Sequence, residues 1–268
     1  MYDLSVISNF GLDVKFETED PCELYVDIIP DTPKKCIRIL LVMEPDIISN
    51  LVNSVINNKD KFDLILTFDE KILDTCSNSK LFLYGTTWIK DFDFSQEKKT
   101  CVTTLVGGKN KTYGHKLRHS LLENIGLIKS IPIDIFNSIN TPKNGINDFK
   151  FIKHKLWKNE MFYSKFHIAI ENNISKNYFT EKIIDCFQTK TIPIYFGCSN
   201  IDDFFDKRGI FQVYSLDEII NVCNNLNDET YDDLLQFVDN NYEISLNYTN
   251  LESRIKNEVT SFIRNRKK

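Results

Sequence analysis

The strongest constraint on this chain is an alternation, run through twice, of short apolar β-branched segments with stretches of helical spacing. "LSVIS" from Leu4, "CELYVDII" from Cys22, "IRILLVM" from Ile37, "FDLILTF" from Phe62 and "KLFLYG" from Lys80 read as strands. Between the third and fourth, "DIISNLVNSVINN" spaces Ile47, Ile48, Leu51, Val55 and Ile56 as one face of a helix. After the polar "KDFDFSQEKKT" the alternation restarts with "CVTTLVGG", a helix near Gly114 to Ile125, "IPIDIF" and a helix near Asn147 to Glu160. "FHIAIE", a helix opening at Thr180, "TIPIYFG" and "GIFQVYS" follow, then helical patterns over Leu216 to Asn225, Tyr231 to Asn240 and Leu251 to Arg264. Apolar strands joined through helices specify parallel sheets covered on both faces. The expected class is α/β, with two Rossmann-like domains facing across a cleft, residues 1–97 and 98–268.

Charge removes one class of partner. At net −5 over 268 residues the chain lacks the basic surface from which phosphate-dominated nucleic-acid affinity is built. Its seven cysteines are scattered, and no pair has C-x-x-C spacing, so reduced thiols in a cytosolic protein are expected. "MYDLSVISNF" carries an acid where a signal peptide needs a basic region, and no run reaches the ~18 apolar residues of a membrane span. The basic ending "RIKNEVTSFIRNRKK" suits weak contact with anionic lipid, but cations at a helix C-terminus are the simpler account.

Two helices begin oddly. In "GGKNKTYGHKLRHSLLENIG", Leu117, Leu121, Leu122 and Ile125 form the buried face, which leaves Arg118 beside a basic first turn. In "FTEKIIDCF", Lys182 lies in the first turn. Cations there oppose the helix dipole unless an anion is present. Pairing of Lys182 with Asp185 at i,i+3 is the plain alternative, since Glu181, Lys182 and Asp185 are not expected to be buried together. The functional alternative is that Arg118 and Lys182, each following a strand, flank one phosphate-bearing ligand at the strand ends.

Glu171, Asn172 and Asn173 stand where "FHIAIE" leaves the sheet, and Glu44 where "ILLVME" does. A carboxylate at Glu44 suits a general base, or complements the helix N-terminus that follows Pro45. His115, His119 and Glu123 share one helical stripe but lack further ligands for a metal. Asp91-Phe92-Asp93 is a D-x-D in a polar connection and reads as a solvated loop.

The stretch "FHIAIENNISKNYFTEKIIDCFQTKTIPIYFG" resembles the donor-binding motif of the α-1,3/4-fucosyltransferases. That pattern runs F-x-[LI]-[AC]-[FI]-E-N-[ST], then [DG]-Y-[VIF]-T-E-K-[IL] and [VI]-P-[IV]-x-x-G. Phe166, Ala169, Glu171, Asn172, Tyr178, Thr180, Glu181, Lys182, Pro193 and Gly197 match it. The resemblance is strongest from Cys101 to Ser215. It implies a GT-B fold and inverting transfer of fucose from GDP-fucose to a glycan acceptor, with no cofactor and no metal. Arg118 and Lys182 would then neutralise the departing diphosphate and Tyr178 would line the phosphate site. Glu181 and Asn172 would hold the ribose or donor sugar, with Glu171 and Thr180 completing the motif, and Glu44 would take the acceptor proton. Asn173 stands where the family has Ser or Thr, Asn177 where it has an acid or glycine, and Lys190-Thr191 where it often has glycine, which puts the donor in question. The rivals are another nucleotide sugar on the same fold and a non-catalytic protein that keeps the donor site.

Overall fold

The computed structural model describes residues 1–9, 12–137, 150–151 and 155–267, with backbone alone at 150–151 and 155–157. By contacts the chain divides into two units. One comprises Met1–Tyr84, Lys176–Tyr178 and Asn250–Lys268, the other Gly85–Ser175 and Phe179–Thr249.

In the first unit β1 (Ser5–Ser8), β2 (Cys22–Val26), β3 (Ile37–Leu41), β4 (Leu64–Thr67) and β5 (Ser79–Leu81) lie side by side in chain order, each neighbouring pair parallel. β3 and β4 are buried along their whole length, which is why they read as mainly Ile/Leu segments, interrupted by the buried Arg38 and Thr67, and not as an alternating pattern. The helix expected over "DIISNLVNSVINN" is two: α1 (Asp46–Ser49) and α2 (Val52–Asn57). Asn50 turns left-handed at φ 50°, a conformation Asn tolerates better than most residues. The Asp46 carboxylate then accepts the Val52 N–H at 2.8 Å. Of the expected face only Val55 is buried, joined by Val52; Leu51 and Ile56 are half-buried, and Ile47 and Ile48 are 60% and 37% exposed. Periodicity alone does not register such a break. α3 (Glu70–Thr75) follows, capped by Asp69.

The last helix, Leu251–Arg266, was expected in the second domain. It groups with the first unit, because Ile255, Val259 and Ile263 pack into one core with Leu24, Ile39 and Leu41. Burying such a side chain stabilises a fold by about 1.5–3 kcal/mol. Its basic end is held locally: Arg266 lies 3.0 Å from Asp63 and Lys267 3.0 Å from Asp20. Among the described residues no helix is long and apolar enough to cross a membrane.

The second unit holds β6 (Lys99–Val106), β7 (Ile133–Asn137), β8 (Lys150–Phe151), β9 (Ser164–Ile170), β10 (Ile192–Phe196) and β11 (Phe211–Gln212). They form a parallel sheet in the order β8-β7-β6-β9-β10-β11. Its helices are α4 (Tyr113–Glu123), α5 (Glu181–Gln188), α6 (Leu216–Asn224) and α7 (Asp228–Ser245). Phe166, Ile168 and Ile170 of β9 pack with Leu117 and Leu121 of α4 and with Ile219 and Cys223 of α6. Of the helix expected near 147–160, residues 147–149 and 152–154 lie outside the described residues, and Lys155–Tyr163 is a 3-10 run. The strand order reverses between β6 and β9. In open α/β sheets the crevice beyond the strand ends at such a switch point is where ligands bind.

Two departures from the fucosyltransferase pattern are explained by the backbone. Asn177 and Lys190 have φ of 59° and 53°, where glycine is at ease and an ordinary side chain costs about 1–2 kcal/mol. Turn geometry accounts for the glycine preference at these places.

Candidate functional site

A cavity of about 570 Å³ opens at that switch point, within the second unit. Leu105, Gly107, Gly108 and Lys109 line it from the end of β6 and the turn beyond; His115 and Arg118 line it from α4. Ile170 and Asn172 contribute from the end of β9, and Glu181 and Lys182 from the first turn of α5.

The approach of α4 to the β9 end is set by a glycine. A Cβ on Gly114 would stand 1.9 Å from the Glu171 carbonyl oxygen, and the Gly114 N–H donates to the Asn172 carbonyl at 3.2 Å. This contact brings Arg118 against the strand end. Its Nη2 donates to the Ile170 carbonyl and, at 3.1 Å, to Asn172 Oδ1, and its Nε to Ile170 at 3.2 Å. Gly114→Ala should lower the melting temperature, since overpacking a closed contact costs about 1–3 kcal/mol. Gly126→Ala, whose Cβ would meet nothing within 4 Å, is the matched control. Equal melting curves for the two variants would refute the close-approach account.

Around Lys182 the charges are compensated inside the protein. Its ammonium lies 3.2 Å from Glu171 Oε2 and 3.3 Å from Glu181 Oε1, and donates to Thr180 Oγ1 at 3.0 Å. Glu171 is fully buried and accepts from the Thr180 N–H at 2.8 Å and from its hydroxyl at 2.9 Å, while Thr180 caps α5. Burial pulls the Lys182 ammonium down, but Glu171 and Glu181 outweigh it and hold the group above its ordinary value. Burial likewise pushes the Glu181 carboxyl up, yet Lys182 and Lys158 bring it down to about 2.

The Lys182–Asp185 pair does not form. Asp185, fully buried, takes Lys158 Nζ at 2.6 Å on one oxygen and the Thr87 hydroxyl and Trp88 N–H, at 2.7 and 2.8 Å, on the other. Lys158 is buried too and lies 4.4 Å from the centre of the Trp88 ring. As expected, Glu181, Lys182 and Asp185 are not all buried, since Lys182 is half-buried; Glu181 and Asp185 are buried together because tertiary structure supplies a cation from a distant segment. Lys158, Trp88, His115 and His167 all line the cavity, and the sequence reading assigned none of them to it. Two buried carboxylates one helical turn apart are the signal that a further cation was required.

Of the residues expected at the donor site, Arg118, Lys182, Glu181 and Asn172 share this cavity. Glu171 and Thr180 stand behind it as braces. Tyr178 falls in a segment grouped with the first unit, its ring 4.9 Å from that of Phe68, and it is not among the cavity-lining residues. Glu44 also belongs to the first unit, beyond the end of β3. There Asp27, at the end of β2 with φ 51°, accepts the N–H groups of Met43 and Glu44 at 2.9 and 3.2 Å. Burial, with the Glu44 charge adding to it, pushes the Asp27 carboxyl up to about 7. Its only sequence signal was an acid just past a buried strand.

The two motifs set aside as metal sites have other uses. His115 bonds Thr112 and His119 bonds the Gly107 carbonyl. Asp91 and Asp93 are exposed in a turn where Asp93 accepts from Ser95. Among the described residues there is no cluster of three or more His, Cys, Asp and Glu suited to a metal.

Residues 95–266 match the family model described as glycosyltransferase family 10 (fucosyltransferase) C-term. An alpha-(1,4)-fucosyltransferase of Arabidopsis thaliana is 40% identical over 50 residues, 19% of this chain and 12% of that protein. An alpha-(1,3)-fucosyltransferase FucT of Helicobacter pylori is 30% identical over 89 residues, 32% of this chain and 19% of that protein. The matched segments thus cover less than a fifth of either relative. An alpha1,3-fucosyltransferase solved with GDP-fucose superposes at TM-score 0.55 and 16% identity, over 92% of this chain and 89% of that one. The pneumococcal O-GlcNAc transferase GtfA, solved with UDP and GlcNAc, superposes at 0.58 and 10% identity, over 90% and 57%. Both neighbours are GT-B glycosyltransferases, and at these identities the likeness is one of fold.

Proposed function

We propose that this chain, which belongs to glycosyltransferase family 10 (fucosyltransferase), transfers fucose from GDP-fucose to a glycan hydroxyl with inversion at the anomeric carbon. The observation that carries the reading is that Arg118, Lys182 and Glu181 line one cavity at the switch point of a parallel sheet. In the proposed step the acceptor oxygen bonds to the anomeric carbon as the bond from that carbon to the β-phosphate oxygen breaks. Glu44 takes the hydroxyl proton. Arg118 and Lys182 stabilise the charge that collects on the GDP as it leaves, and Asn172 and Glu181 orient the sugar and ribose hydroxyls. Fixed charges of this kind need no reorganisation at the moment of reaction.

The buried Glu171–Lys182–Glu181 arrangement fits that role, because it holds the lysine charged and in place before a ligand arrives. The seven cysteines are all free thiols, which fits the reducing cytosol we propose as its location.

A thermal-shift panel of nucleotides tests the donor. At 100 times its dissociation constant a ligand adds about 2.7 kcal/mol to stability, so GDP and GDP-fucose should raise the melting temperature and UDP should not. Stabilisation by UDP in place of GDP would remove fucose as the transferred sugar.

A further inference from the structure

His115 is buried to 6% exposure, lines the cavity beside Arg118 and Lys182, and is the third residue of α4. Its Nδ1 lies 3.2 Å from the Thr112 backbone N and 2.7 Å from the Thr112 hydroxyl. A backbone N–H can only donate, so Nδ1 is the acceptor and the neutral ring carries its proton on Nε2. Nε2 has no hydrogen-bond partner among the described residues. Burial, reinforced by the charges of Arg118, Lys109 and Lys182, takes the imidazole down to about 4, so it stays neutral at physiological pH.

We propose that His115 is a further donor-binding residue of this chain, presenting Nε2–H to an oxygen of the nucleotide's diphosphate, an inference that rests on the nucleotide-sugar reading of the cavity. The position favours a phosphate oxygen over a sugar hydroxyl. The neighbouring side chains on this wall, Arg118, Lys182 and Lys109, are cations, and a phosphate oxygen only accepts, so a fixed donor suits it without further adjustment. Being uncharged, the imidazole adds a directed hydrogen bond without another cation to retain the released diphosphate. The Thr112 cap performs two tasks: it starts the helix and selects the tautomer.

Calorimetry and nitrogen NMR on the whole chain test this. With GDP as probe, His115→Ala should weaken binding about threefold to tenfold, the worth of one neutral hydrogen bond, and guanosine binding should be unchanged. His115→Gln should restore most of the GDP affinity, since its amide oxygen accepts from Thr112 while its nitrogen donates to the ligand. In wild-type protein labelled at histidine, His115 should report an Nε2–H tautomer whose Nε2 resonance moves on adding GDP and stays still on adding guanosine. An Nδ1–H tautomer, a GDP affinity indifferent to His115→Ala, or an equal loss for guanosine would overturn the proposal while leaving the donor reading intact. Failure of the wild-type chain to bind GDP would overturn the donor reading itself, and this inference with it.

Discussion

Arg118→Ala should lower turnover of GDP-fucose by about 10²–10³-fold, the usual consequence of removing one preorganised stabiliser of transition-state charge. The loss should fall on kcat more than on KM, because the interaction strengthens as charge moves onto the leaving diphosphate. Arg118 also spans the Ile170 carbonyl and Asn172 Oδ1, so its removal leaves buried acceptors unsatisfied, at a cost of about 1–3 kcal/mol in stability. Arg118→Lys separates the two effects. A lysine keeps the charge but not the planar fork, so it should regain part of the activity and little of the strand-end bonding. Full turnover in a folded Arg118→Ala protein would eliminate the residue from the reaction.

Glu44→Gln should leave GDP affinity unchanged and reduce transfer by about 10²–10⁴-fold, the range a positioned general base supplies. Side-chain volume and the Asp27 contacts to the Met43 and Glu44 backbone are preserved, so a loss of activity reads on the carboxylate and not on the loop. Asp27 adds a second carboxyl at the same strand ends, pushed up to about 7 by burial, so Asp27→Asn belongs in the same experiment. Were transfer undiminished in Glu44→Gln but lost in Asp27→Asn, the base would be the residue on the neighbouring strand. Retention in both would leave the first unit without the proposed chemistry.

The periodic features were the legible part of this fold. Largely apolar segments such as Ile37–Leu41 and Ile192–Phe196 became buried parallel strands, and the helices expected to open at Thr180 and near Gly114 begin there. What stayed hidden depends on contacts between distant segments. The apolar stripe of Leu251–Arg266 reveals a helix but not the sheet it covers. Lys158 is invisible as a site residue until its 3-10 run brings it 2.6 Å from Asp185.

Lys182 shows the same limit of pattern. A cation in a first turn suggested an absent anion, and pattern alone could not show that Glu171, on the preceding strand's exit, already supplies one. Arg118 and Lys182 nevertheless line the same cavity, because each follows one of the two strands that meet where the order reverses. That inference needed only topology.

The place of Leu251–Arg266 in the first unit also bears on how the chain is made. The core that closes over Leu24, Ile39 and Leu41 is completed by Ile255, Val259 and Ile263, so an early segment of the chain is finished by a much later one. Everything the second unit packs against itself has emerged by Thr249, before that closing helix is synthesised. Domains ordinarily fold in the order of their synthesis; here the later unit can be complete while the earlier one still exposes the apolar face of its sheet.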